Sequence, residues 1–205
     1  MKSKNSFQLG TTLYSFNSEY YSYEMSFEDC MDAVGSLGPG QGIELVGPMM
    51  IRSYPKLSGE FEKRFKVAVE KNDLVPTAYS GYTDVSRFFG RLANSDEQHE
   101  HLRHQIRTAK QLGFSIIRLR PDDPFVIDEL LPYAEKVGVK IGMEIHSPMM
   151  LESMQDVIEK VERINSPYLG FIPDCGAFCD SCASVYIERF LGQGVDPGIV
   201  KTILR

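Results

Sequence analysis

Six times along this chain a short apolar run rich in β-formers gives way to a longer segment with helical periodicity. Each helical segment hands over to the next run through glycine or proline. The runs span 8–16 (QLGTTLYSF), 42–46 (GIELV), 75–79 (VPTAY), 114–119 (FSIIRL), 139–145 (VKIGMEI) and 168–172 (YLGFI). Helical patterns are expected from about position 26 and over 60–71, 96–112, 123–137, 152–165 and 184–191, with the tail from 195 beginning a further element. Ser26, followed by Glu28 and Asp29, has the chemistry of an N-cap, and Gly35, Gly113 and Gly138 mark helix exits. Parallel strands need crossover helices, so six such units specify a parallel α/β sheet.

Two architectures satisfy that pattern. An open doubly wound sheet of the dinucleotide-binding kind calls for a glycine-rich phosphate loop after its first strand. Here NSEYYSYE follows instead, and neither G-x-G-x-x-G nor a G-x-x-x-x-G-K-[ST] loop occurs anywhere. A closed barrel explains the alternation in VKIGMEIH. Val139, Ile141, Met143 and Ile145 fall on one face, for burial under helices, while Lys140, Gly142, Glu144 and His146 fall on the other. The expected fold is therefore a (β/α)₈ barrel. Such barrels take about 250 residues and eight strands. The 205 residues here supply about six units, so the expectation is one barrel domain over 1–205 whose C-terminal strands are missing from this chain.

Composition narrows the function classes. A formal charge of −6 argues against a general nucleic-acid or anionic-membrane surface, which needs clustered positive charge. No apolar run approaches the roughly 20 residues that span a bilayer, and no apolar stretch follows the N-terminal lysines as in a secretory leader. With four cysteines, too few for a disulfide scaffold, the expected location is the cytoplasm.

The candidate chemistry sits at strand ends. Glu144 lies near the end of the fifth strand, inward by parity, and Asp174 directly follows the sixth. Neighbouring strands are about 4.8 Å apart. Two carboxylates at matching depth there can share one hard divalent cation. His146, two residues beyond Glu144, points the same way and is the candidate base. Glu44, inward on the second strand, Arg52 in the loop after it, and Arg118 or Arg120 at the end of the fourth are candidate substrate contacts, Arg120 being the expected one of that pair. His99, His101 and His104 resemble a metal cluster on paper, but helical spacing puts only His101 and His104 on one face, which is expected to be solvated surface. Cys175, Cys179 and Cys182 have the C-x₃-C-x₂-C spacing of radical enzymes that hold an iron–sulfur cluster. They follow the sixth strand rather than the first, so ordinary reduced thiols are expected.

With GIELVG, KIGMEIHSP and YLGFIPDCGAF placed, the chain resembles the xylose-isomerase-like barrels of the sugar phosphate isomerase/epimerase superfamily. That resemblance implies a metal held by a Glu on strand five and an Asp on strand six, matched by Glu144 and Asp174, with a His on strand seven and a Glu on strand eight that have no counterpart here. The implied ion is Mn²⁺ first, with Mg²⁺, Co²⁺ or Zn²⁺ as substitutes. The implied reaction is proton abstraction next to the carbonyl of a keto-sugar by a sugar isomerase or epimerase. More narrowly, LYSFNSEYYSYEMSFED, IELVGPMMIRSYP, MEIHSP and LGFIPD resemble the large (alpha) subunit of C-glycoside deglycosidases. This implies a lyase acting on a 3-oxo-glycoside, with a His at position 146 as base, within an oligomer that includes a small second subunit. A DNA-repair enzyme of the apurinic-endonuclease type, or an inactive fragment, is the remaining alternative. The negative charge counts against the first of these, and no nucleic-acid or membrane partner is expected.

Overall fold

The computed structural model describes residues 9–120, 126–146, 154–175 and 184–203. Six strands lie in one sheet in the order β1 (Gly10–Thr12), β2 (Gly42–Val46), β3 (Val75–Ser80), β4 (Ile116–Leu119), β5 (Lys140–Ile145) and β6 (Leu169–Pro173), with every neighbouring pair parallel. Sequential order in a parallel sheet is the order of a barrel wall and not that of a doubly wound sheet, whose strand order reverses.

The helices are α1 (Asn17–Tyr21), α2 (Phe27–Gly35), α3 (Gly47–Met50), α4 (Gly59–Lys71), α5 (Ser95–Gln111), α6 (Leu131–Val137), α7 (Gln155–Ile164), α8 (Ser184–Gly192) and α9 (Pro197–Ile203). Capping explains where the long ones begin. The Ser26 hydroxyl accepts from Asp29 N at 3.1 Å, and the Asp29 carboxylate accepts from Ser26 N at 2.8 Å, so two otherwise orphaned donors are satisfied reciprocally. Asn94 and Glu97 repeat that arrangement at the start of α5, both at 2.9 Å. α6 leaves through Gly138 at φ 76°, a left-handed conformation that costs glycine nothing.

The core lies between the sheet and its helices. Ile43 and Leu45, Tyr79, Ile117 and Leu119, and Ile141 and Met143 are buried, in one cluster with Phe27, Phe65, Ile106, Ala109 and Ala134 from the helices. The alternation expected of β5 is realised: Val139, Ile141, Met143 and Ile145 are buried, while Glu144 is half-buried and His146 exposed.

Several boundaries differ from the sequence expectation. The first run, expected to be extended over 8–16, is a strand only at Gly10–Thr12. Thr12 Oγ1 then accepts from Tyr14 N at 3.3 Å and caps a 3₁₀ turn, Leu13–Phe16. The helix expected from 123 is described only from 126 on, as a π-helical turn, Val126–Leu130, running into α6. The start of the helix expected at 152, and Cys179 and Cys182, lie outside the described residues.

Candidate functional site

The strand register fixes which side chains meet. Ser80 on β3, Arg118 on β4, Gly142 on β5 and Gly170 on β6 form one row across the sheet, and Glu44 pairs with Ala78 one inward step deeper. Glu144 pairs with Ile172 one inward step nearer the mouth. The register continued past Pro173 sets Asp174 level with His146, and Asp174 N donates to Ile145 O at 2.9 Å. The matching depth expected of Glu144 and Asp174 is therefore corrected: Asp174 is the partner in level of His146. His146 Nε2 lies 3.5 Å from Asp174 Oδ2.

Below that pair, Arg118 on β4 ties its strand to three others. Its guanidinium pairs with Glu144 on β5 and, at 2.5 Å, with Glu44 on β2. Nε and Nη2 also donate to the Ser80 hydroxyl at 2.9 and 2.7 Å, and Ser80 in turn donates to Glu44 at 2.5 Å. Burial alone would lower the Arg118 pKa, but Glu44 and Glu144 outweigh it and the net shift is upward. Burial also raises the Tyr82 hydroxyl above its ordinary range, against the pull of Arg118. Tyr82 is positioned from α5. The buried Gln105 amide accepts from Tyr82 N at 3.0 Å and donates to Tyr82 O at 2.8 Å.

Glu44, Tyr82, Arg118, Glu144, His146 and Asp174 line one cavity of about 810 Å³, which also takes in Thr12, Tyr14 and Met49. That is ample for a small ligand. Glu44, Glu144, His146 and Asp174, all expected from sequence, are brought together there. Arg52 and Arg120 are not. β4 ends at Leu119, so strand alternation no longer governs Arg120, which is exposed, and Arg118 takes its expected place. Arg52 lies in a second cavity against tyrosine rings. Sequence reasoning misses Ser80, Tyr82 and Gln105; only the parity of β3 points to Ser80.

The histidines of α5 also depart from expectation. His101 is buried, and its Nε2 lies 2.7 Å from Tyr54 Oη. Burial first, and Arg87 second, push its pKa down to about 4. His104 Nε2 donates to Pro55 O at 2.7 Å. Neither belongs to a metal cluster among the described residues.

Carboxylate oxygens are the donor type that hard divalent cations take. Among the described residues, however, no group of three or more His, Cys, Asp or Glu is arranged to hold an ion, and Arg118 already binds one oxygen of Glu144. The carboxylates of Glu144 and Asp174 fit such an ion in donor type.

Residues 31–195 match the xylose isomerase-like TIM barrel family. The chain belongs to that family. Curated relatives of this xylose isomerase-like chain include the 3'-dehydrocarminate deglycosidase alpha subunit of a Microbacterium species, 42% identical over 173 residues, covering 83% of this chain and 50% of the relative. The C-glycoside deglycosidase alpha subunit of Arthrobacter globiformis is 31% identical over 199 residues, covering 95% and 54%. The chain thus spans about half the length of the curated relatives it matches. Among solved structures, a xylose isomerase-like TIM barrel protein from Mycobacterium smegmatis in complex with magnesium superposes with a TM-score of 0.57 at 15% identity, over 93% of this chain and 72% of that one. Among the described residues no helix is long and apolar enough to cross a membrane.

Proposed function

We propose that this chain carries the catalytic face of a deglycosidase alpha subunit, a lyase that separates the aglycone from a 3-oxo-glycoside. The convergence of Glu44, Arg118, Glu144, His146 and Asp174 on one cavity along the inner face of the sheet, with His146 and Asp174 just past the C-termini of β5 and β6, carries this reading. Isomerisation and epimerisation of a keto-sugar begin with the same proton abstraction. The relatives of 42% and 31% identity favour the lyase ending over those two.

The roles follow from depth. His146, nearest the mouth, removes the proton from the carbon next to the oxo group. The electron pair left behind forms a carbon–carbon double bond as the bond to the aglycone breaks, and the departing aglycone takes up a proton. Asp174, 3.5 Å away, orients the imidazole and offsets the charge it gains. Glu144 and Asp174 would hold a divalent ion, Mn²⁺ or a similar one, which when bound supplies Lewis-acid polarisation of the substrate carbonyl. Arg118 holds Glu144 in place from below, and Glu44 and Tyr82 present hydrogen-bonding groups to sugar hydroxyls. A small second subunit is part of the proposal.

The test is turnover of a 3-oxo-C-glycoside by the full-length protein with its partner subunit. Glu144→Gln and Asp174→Asn should each abolish turnover in a protein that still folds, and Asp174→Asn should leave thermal unfolding where it was. Full turnover in both variants would remove the reading.

A further inference from the structure

A second cavity, of about 400 Å³, opens beside the first, between the segments that follow β1 and β2. The four-residue helix α3 links the two in sequence. Met49 lines the first cavity, whereas Arg52, just past the end of α3, lines the second. The two loops are pinned to each other, because Tyr20 Oη donates to Met50 O at 3.1 Å.

Arg52 is the unusual feature of this cleft. Its guanidinium carbon lies 4.6 Å from the centroid of the Tyr20 ring and 4.7 Å from that of Tyr23. Nη1 donates to Tyr23 Oη at 3.3 Å, and no carboxylate of the described residues pairs with the guanidinium. Arg64, which shares the cleft, is different: it is matched by Glu28 through two contacts of 2.6 Å and carries no surplus charge. Glu60 also lines the cleft but does not reach ion-pair distance of Arg52. A guanidinium laid against aromatic faces keeps its N–H donors in its own plane, where they match a carboxylate bidentately.

The backbone is strained to build this arrangement. Tyr23 sits at φ 62°, the left-handed region, which a bulky L-residue rarely adopts. Such strain collects at ligand clamps. The ring so placed is mostly exposed, and the cleft behind it is backed by the buried rings of Phe27 and Phe61.

We infer that this cleft is a binding site for an aromatic carboxylate, with Arg52 taking the carboxylate and Tyr23 covering the ring. Its use as the subsite for an anionic aromatic aglycone, with Arg52 close in sequence to Met49 of the sugar cavity, rests on the glycoside reading above; the binding itself does not.

The experiment titrates 2-naphthoate and its neutral analogue 2-naphthalenemethanol into the purified full-length protein. Naphthoate should bind about tenfold more tightly than the alcohol, as one charge-assisted bidentate contact provides. Arg52→Gln should remove that preference and leave the alcohol unchanged. Arg52→Lys should keep part of it, and Tyr23→Ala should weaken both ligands. His146→Ala should alter neither. Equal binding of the two probes by the wild-type protein, or wild-type naphthoate affinity in Arg52→Gln, overturns the site. If Arg52→Gln does not fold, wild-type affinity in both Arg52→Lys and Tyr23→Ala overturns it instead. Naphthoate binding lost in His146→Ala would put the probe in the other cavity, which overturns the site as well. Charge-selective binding by a protein without deglycosidase turnover leaves this site standing and removes the function reading. Turnover without charge-selective binding does the reverse.

Discussion

Arg118 and Glu144 face each other from adjacent strands, one inward step apart in depth, and the guanidinium that binds Glu144 also holds Glu44 from the opposite side. Less than a fifth of each of these three side chains is exposed. Removing the cation leaves two carboxylates in a poorly solvated interior. Breaking a buried pair in this way costs about 3–5 kcal/mol. Arg118→Leu should lose about that much in urea unfolding, and adding Glu44→Gln should recover part of the loss. A single variant as stable as wild type would mean that water reaches the cluster freely.

His146 is the candidate that separates base from ligand, because it stands one inward step beyond Glu144 and level with Asp174. In the full-length protein His146→Ala should cut turnover by roughly 10²- to 10⁴-fold, the span usual for loss of a general base. Divalent-ion content measured on the same sample should stay at the wild-type level. Loss of ion together with turnover would make His146 a ligand, and full turnover would return it to an uninvolved place at the rim.

Much of this layout is legible in the sequence where local rules decide it. VKIGMEIH alternates strictly, so the inward set Gly142, Glu144 and His146 follows from residue order alone. Depth is different, since it depends on how far each strand is slid against its neighbours. For that reason Glu144 and Asp174 look level in sequence and are not, and Arg118 and Arg120 cannot be told apart by parity. Burial of His101 depends on Tyr54, 47 residues away, and no helical periodicity in α5 carries that information.

Gly47, the first residue of α3, touches β3 where no side chain fits. A Cβ there would stand 1.9 Å from the Tyr79 hydroxyl and 2.6 Å from the ring carbon bearing it. Tyr79 is fully buried and has no room to yield. Gly47→Ala should therefore destabilise by about 1–3 kcal/mol, as overpacking does. Tyr79→Phe removes the nearer clash but not the second, so the double variant should regain only part of the loss, a coupling that a double-mutant cycle measures. Additive effects would show that α3 moves away from the sheet instead.

His101 gives the fold a defined acid sensitivity. Burial holds its folded-state pKa at about 4, below the ordinary 6.5, and burial also raises the hydroxyl of its partner Tyr54. Near neutrality the imidazole is thus uncharged and the tyrosine protonated, which suits Tyr54 donating to Nε2 across 2.7 Å. An unfolded chain takes up a proton at this histidine below about pH 6.5, whereas the folded chain does so only near pH 4. The contribution to stability is complete above pH 6.5 and is lost as pH falls through this window, amounting to about 3 kcal/mol over its full width. Urea unfolding midpoints taken between about pH 7 and pH 4 should fall accordingly. His101→Gln keeps an acceptor for Tyr54 but cannot titrate, so its midpoints should fall less steeply, by the share of one proton. Identical slopes in the two proteins would show that the imidazole takes up its proton equally in both states, and the buried, neutral His101 would have to be given up.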